Sequence, residues 1–137
     1  MTQTRGYRNN NPLNIRYNSD LFRGEVRPSK DSAFKQFESM EYGYRAAFKM
    51  LDTYRRLHGC RILSDFINRW APPKENNTRG YIDTVTKRAR LADVSTVDTR
   101  DEITMRRIVS AMSFVENGIE ADGEQVKRGW DLFIKTL

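Results

Sequence analysis

Residues 99–118 read TRDEITMRRIVSAMSFVENG, and this stretch predicts a helix with a carboxylate on its apolar side. Thr99 and Glu102 have the spacing of a capping box, and Gly118 is a typical helix stop. Five apolar residues recur between these ends at helical spacing and form one stripe: Met105, Ile108, Val109, Met112 and Val115. Glu116 lies four residues beyond Met112, so we expect its side chain to point toward the core or a cleft.

This position gives Glu116 the properties of a general acid. Apolar neighbours disfavour the ionised carboxylate, and the negative end of the helix dipole acts in the same direction, so both raise its pKa. A carboxylic acid that keeps its proton near neutral pH can donate it to a glycosidic oxygen. The alternative is a glutamate at a frayed helix end, turned toward solvent or paired with Arg106 or Arg107.

Residues 8–16, RNNNPLNIR, form the second informative stretch. Asparagine and proline are ordinary turn formers, so the polar run by itself predicts only a turn. Together with the helix end at Glu116, Asn117 and Gly118, it suggests the two halves of one glycan-cleaving site.

Length and composition favour one domain over residues 1–137 with neither a metal nor a cofactor. One cysteine excludes an internal disulfide, and a single histidine leaves a His/Cys zinc site short of ligands. No apolar run is long enough for membrane insertion, and the polar N-terminus lacks an export signal.

The chain carries a net charge of +6, concentrated in its N-terminal part. Residues 1–60 hold 11 Lys/Arg against 6 Asp/Glu, whereas residues 61–137 hold 13 against 12. Such a surface attracts polyanions. No nucleic-acid-binding motif organises the cations, so we expect no specific nucleic-acid partner. Binding of DNA without sequence preference remains an alternative hypothesis.

The pattern predicts an α+β protein that is mainly α-helical, with a small N-terminal hairpin or three-stranded sheet. Short extended segments are predicted at 14–17 and 33–37, separated by a turn-rich segment. Four further helices follow: one from Ser39 to about His58, one over 64–70, one capped by Thr78 and reaching about Ala89, and a last one capped by Asp122. The inner face of the last helix is predicted to comprise Val126, Trp130, Phe133 and Ile134.

Several motifs resemble known families. The stretch from Asn10 to Arg16, then Phe22-x-Gly24 and Phe34-x-x-Phe37-x-Ser39, is similar to the segment after the catalytic glutamate in lysozyme-like glucosaminidases and transglycosylases. The Arg-Asn-Asn-Asn-Pro motif and the segment from Trp70 to Thr78, WAPPKENNT, resemble phage and prophage proteins of virion structural or lysozyme-like type. The second resemblance covers most of the chain, the first about a third.

The order of the motifs departs from that of the enzymes. They place the glutamate helix before the asparagine-rich turn, but only seven residues precede Arg8 here. The helix end at Glu116 looks like the missing piece, displaced toward the C-terminus. The resemblance and the altered motif order therefore imply a circularly permuted lysozyme-like domain.

The resemblance implies a peptidoglycan-cleaving glycosidase in which Glu116 is the general acid. A lytic transglycosylase needs no second carboxylate, whereas a hydrolase does, and Asp20, Glu25 and Asp31 are the candidates. Each of these has an alternative interpretation as a solvated turn residue. Glu75, after two prolines, is the rival acid, although its position before a helix start also suits any anion.

Polar and aromatic residues near these motifs are candidates for substrate binding. Asn10, Asn11 and Asn14 would orient N-acetyl groups, or they cap backbone groups of the turn. Tyr42 and Tyr81 offer faces for sugar stacking, whereas Tyr44 is better explained as core.

The main alternative function is a noncatalytic virion structural or glycan-binding protein that retains the fold. Under either interpretation we expect a monomer associated with a phage particle or a holin-type delivery partner. The protein would stay in the host cytoplasm until release, or in the virion, and act at the bacterial cell wall.

Overall fold

The computed structural model describes residues 3–137 and confirms a mainly helical α+β protein. Within these residues six helices accompany one two-stranded sheet. In chain order the elements are α1 (Arg5–Arg8), β1 (Glu25–Val26), β2 (Gln36–Phe37), α2 (Met40–His58), α3 (Leu63–Trp70), α4 (Thr78–Ala89), α5 (Glu102–Asn117) and α6 (Gly123–Lys135). None of the described helices combines the length and the apolar composition that crossing a membrane requires.

The sheet has the two strands of the predicted hairpin, but both are short and the first lies at 25–26 and not at 14–17. Strands β1 and β2 pair antiparallel, with Glu25 opposite Phe37. The extended segment expected at 14–17 contributes only an isolated bridge from Arg16 to Phe34. One reason is the left-handed backbone of Asn14, with φ of +52°, which interrupts the extended run where it begins.

Helices α2 to α6 all contribute to the main core, in which α2 packs most extensively along α6 and α4 along α5. Tyr44, Phe48 and Leu51 are buried on one face of α2. The Phe48 ring meets the edge of Trp130 in α6 at a centroid distance of 5.1 Å. The predicted inner face of α6 is wrong at its last residue, because Ile134 is 40% exposed whereas Phe133 is buried.

Two predicted helix caps are displaced. Asp101, not Thr99, caps α5, and its side chain accepts a hydrogen bond from the Thr104 amide. Thr99 is buried instead and donates to the Asp52 carboxylate at 2.8 Å. Because α5 begins at Glu102, the capping position falls on Asp101, and the Thr99 side chain contacts Asp52 instead.

The same displacement occurs at α4, which Asn77 caps by accepting a hydrogen bond from the Gly80 amide. Thr78 is the first helical residue, and its hydroxyl donates to the Ala71 carbonyl, which ties α4 to the end of α3. The predicted caps Ser39 of α2 and Asp122 of α6 are confirmed.

Candidate functional site

The asparagine-rich segment forms a tight bend that Asn11 holds from inside. Its buried amide donates to the carbonyls of Ile15 at 3.0 Å and Lys35 at 2.9 Å. Its carbonyl oxygen accepts from the Ile15 amide at 2.9 Å. All of these bonds are internal, so the structure favours the backbone-capping interpretation of Asn11 over substrate binding.

Asn10 is also used by the fold. Its amide donates to the Phe37 carbonyl at 3.1 Å, which joins the bend to β2. The backbone carbonyl of Asn10 lies close to Gly43, and a Cβ at position 43 would come within 2.2 Å of its oxygen. This contact explains why a glycine occupies the first turns of α2.

Asn117, the last residue of α5, fastens the bend to the helix end. Its amide donates to the Pro12 carbonyl at 2.7 Å and to the Ser113 carbonyl at 3.0 Å. Its oxygen accepts from the Thr4 hydroxyl at 2.7 Å. Segments more than 100 residues apart in sequence are thereby brought together, as the two motifs predicted.

Glu116 is held between the bend and α4. Its Oε1 accepts from the Asn14 amide at 2.9 Å, and its Oε2 accepts from the Tyr81 hydroxyl at 3.0 Å. The side chain is partly buried, at the end of the apolar stripe of α5. Two donors from different elements thus fix the orientation of the carboxylate.

The environment of Glu116 favours its protonated form. Burial raises the pKa of the carboxyl, whereas the hydrogen bonds from Asn14 and Tyr81, helped by the Trp70 side chain, lower it. Burial outweighs them, so the pKa lies above its usual value. Tyr81 remains a donor throughout, because burial and the adjacent Glu116 charge raise the pKa of its phenol well above normal.

One polar atom of the site has no partner. Asn14 Oδ1 is buried and accepts no hydrogen bond from the described residues. Leaving such an acceptor without a partner costs roughly 1–3 kcal/mol. In the same orientation the Asn14 amide donates to Glu116, and the backbone of Asn14 has a left-handed φ.

Glu116 lies where two concave regions meet. A cleft of about 560 Å³ extends to one side, with aromatic and apolar walls that include Phe34, Met50, Tyr54 and Trp70. A shallower region of about 470 Å³ extends to the other, between α4 and the end of α5. Glu116 and Asn76 line both regions. The two regions thus adjoin at these two residues.

The other predicted acids differ in position. Glu75 lines the larger cleft from the exposed loop after Pro72. Glu25 does not line it; its fully buried carboxylate pairs with Lys35 at 3.0 Å and with Arg27 at 2.8 Å. Burial alone would raise the pKa of Glu25, but the hydrogen bonds of the Phe22 amide and the two cations outweigh it and lower the pKa. Glu25 is thus an ionised structural group.

The remaining predicted residues stand apart from the cleft as well. Asp31 binds Arg5 at 2.6 Å, and this contact holds the pKa of Asp31 well below its usual range. Asp20 is exposed, and its backbone carbonyl accepts from Lys35. Tyr42 packs against Gly24, where a Cβ would come within 2.2 Å of its ring. Tyr81 is buried, donates to Glu116 and lines the smaller concave region.

Trp70 and Arg16 also line the cleft, although neither was predicted to do so. Trp70 lies in the WAPPKENNT motif, so the motif was the available signal. Arg16 makes no ion pair within residues 3–137, and its guanidinium lies 5.3 Å from the centre of the Phe34 ring. Among the same residues no cluster of three or more His, Cys, Asp or Glu side chains is arranged to hold a metal ion.

Comparison with known proteins links the chain to a bacteriophage. Protein P5 of Pseudoalteromonas phage PM2 is 35% identical over 131 residues, an alignment that covers 93% of this chain and 80% of the phage protein. No family model matches the sequence. The alignment covers nearly the whole chain. The chain therefore belongs to the same protein family as Protein P5 of phage PM2.

Proposed function

We propose that the protein cleaves the glycan strands of peptidoglycan, with Glu116 as the general acid. The observation that carries this proposal is the partly buried carboxyl with a raised pKa, held by Asn14 and Tyr81 where two concave regions meet. A polysaccharide cut at an internal bond requires such an acid with binding surface on both sides.

In the proposed first step, Glu116 transfers its proton to the oxygen between two amino sugars while the bond from that oxygen to the anomeric carbon breaks. In a lytic transglycosylase the resulting carboxylate then takes the proton of the sugar's 6-hydroxyl as that oxygen attacks the anomeric carbon. Asn14 and Tyr81 stabilise the carboxylate between these steps because both donate hydrogen bonds to it. The product of this route is an anhydro sugar.

A hydrolase would require a second carboxylate in the cleft, and Glu75 is the one that lines it. Its exposed loop leaves room for a water molecule on the substrate. Within this proposal Glu75 replaces Asp20, Glu25 and Asp31 as the candidate base, since none of those three lines the cleft.

The proposal extends to the fold. The glutamate helix end and the asparagine-rich bend lie side by side although their chain order is reversed relative to the lysozyme-like enzymes. A circularly permuted lysozyme-like domain accounts for both facts. An experimental structure superposed on lysozymes with the chain order ignored would test this part separately.

The decisive experiment is digestion of purified peptidoglycan sacculi, followed by mass spectrometry of the released fragments. Anhydro sugars indicate a transglycosylase, and free reducing ends indicate a hydrolase. Glu116→Gln should abolish the release of fragments without lowering Tm. Glu38 is exposed, and Glu38→Gln should leave fragment release unchanged. Undiminished release by Glu116→Gln would refute the assignment.

One observation favours a noncatalytic glycan-binding protein as the second candidate. Both Glu116 oxygens already accept hydrogen bonds from the protein, an arrangement that also suits a fixed binding group. This candidate predicts that the protein sediments with sacculi but releases no fragment. The same digestion therefore separates the two functions.

A further inference from the structure

A second concave site lies between α4, α5 and the start of α6, away from the Glu116 cleft. Its volume is about 390 Å³, within the range of roughly 300–1,000 Å³ common for small-molecule pockets. Three arginines line it, Arg88 from α4 and the adjacent Arg106 and Arg107 from α5. The first residue of α6, Gly123, and the Ser110 hydroxyl lie at the same pocket.

The positive charge of this pocket is only partly neutralised. Its one acidic lining residue is Glu120, which binds Arg88 at 2.6 Å. Arg106 contacts Glu102 at 3.1 Å, but that carboxylate is shared with Lys127 at 3.3 Å. Arg107 makes no ion pair in the described part of the chain.

The lining favours a phosphate ester over a simple carboxylate. Guanidinium groups present forked donors that match phosphate oxygens, and several together suit a group with more than one negative charge. Ala111 and Val126 supply apolar surface for the moiety that carries the phosphate.

We propose that this pocket binds a phosphate ester, with Arg107 as its principal free cation and Glu120 as an internal competitor for Arg88. Glu120 retains 74% of its side-chain exposure, so it can swing into solvent when a ligand phosphate takes its place. Neither role depends on the Glu116 cleft. The site therefore stands whether or not the protein cleaves glycans.

Glycerol phosphate is the first probe, titrated at constant ionic strength and followed by NMR shifts of the arginine Nε–H groups. We expect saturable shifts at Arg88, Arg106 and Arg107. Arg107→Gln should weaken binding by about tenfold or more, as loss of a charge-assisted contact implies. Glu120→Gln should strengthen it by removing the competing carboxylate.

Matched variants separate the pocket from the general charge of the surface. Arg61→Gln and Glu38→Gln make the same charge changes at exposed positions outside the pocket, and neither should alter the affinity. Equal effects of Arg61→Gln and Arg107→Gln, or shifts that do not saturate, would overturn the proposal. A failure of Glu120→Gln to increase the affinity would refute the competitor role.

A second arm identifies the source of the phosphate. Vesicles of phosphatidylglycerol and of phosphatidylcholine are compared by co-sedimentation. Binding to phosphatidylglycerol that Arg107→Gln abolishes supports a lipid headgroup. Glycerol phosphate binding without vesicle binding supports a soluble phosphate ester.

Discussion

Replacing Asn117 with alanine should separate the N-terminal bend from α5. The change removes two long-range hydrogen bonds, one donated to the Pro12 carbonyl and one accepted from the Thr4 hydroxyl, each contributing about 1 kcal/mol. It also leaves the Pro12 carbonyl buried without its donor, while alanine recovers roughly 0.5 kcal/mol of helix propensity. The expected net loss is roughly 2–3 kcal/mol of unfolding free energy. For a chain of this length that lowers Tm by about 6–9 °C.

Urea unfolding monitored by circular dichroism measures this loss, and Asn68→Ala is the matched control. Asn68 is exposed and donates to the Ser64 carbonyl four residues earlier at 2.8 Å, as Asn117 does to Ser113. The control therefore carries the local helical bond without the long-range ones, and we expect it to cost under about 0.5 kcal/mol. Equal losses in the two variants would show that the link between bend and helix contributes nothing to stability.

Three further changes test the site and its support. The pKa of Glu116 is raised in the folded protein, so ionisation of this carboxyl lowers the free energy of unfolding as pH rises through that pKa. In urea titrations the stability of Glu116→Gln relative to the native chain should therefore grow from pH 4 to pH 8. A difference that stays constant with pH would contradict the burial argument. Tyr81→Phe removes a donor to the carboxylate and should raise the pKa of Glu116 further, measured by its carboxyl ¹³C shift; a downward shift would contradict the assigned bond. Gly6→Ala places a Cβ within 2.6 Å of the Asn117 side-chain oxygen and should cost about 1–3 kcal/mol, whereas Gly123→Ala meets open space; similar unfolding midpoints would refute the packing of the bend.

The helices were predictable because their signals are local. Ser39 and Gly118 mark helix ends in the sequence and in the structure, and the stripe of α5 is buried as its spacing indicated. The errors arose where tertiary contacts took over a local group. Thr99 could have capped α5, but the buried Asp52 carboxylate binds its hydroxyl. The hairpin was overestimated because side-chain amides, above all that of Asn11, satisfy carbonyls that longer strands would have used.

The position of Glu116 was predictable from the sequence, and its hydrogen-bond partners were not. Periodicity alone placed Glu116 on a buried stripe, because helix geometry fixes which positions share a face. Nothing local indicated that Tyr81 would donate to that carboxylate across 35 positions in sequence, or Asn14 across 102. Tyr81 was a candidate for sugar stacking, and Asn14 was a candidate either for binding N-acetyl groups or for capping the turn. In the structure they orient the acid, and the walls come from residues such as Trp70.

The balance of forces on Glu116 links the fold to the proposed chemistry. Burial raises the pKa of the carboxyl, and three side chains from separate segments lower it, so the result depends on how firmly the bend, α4 and the end of α3 are held together. A glycan lying across both concave regions would exclude water from the carboxyl but leave the Asn14 and Tyr81 donors in place. Substrate binding should thus raise the pKa further and keep the proton on Glu116 until the glycosidic oxygen accepts it. The same two donors would then stabilise the carboxylate that remains, so one arrangement serves both states of the acid.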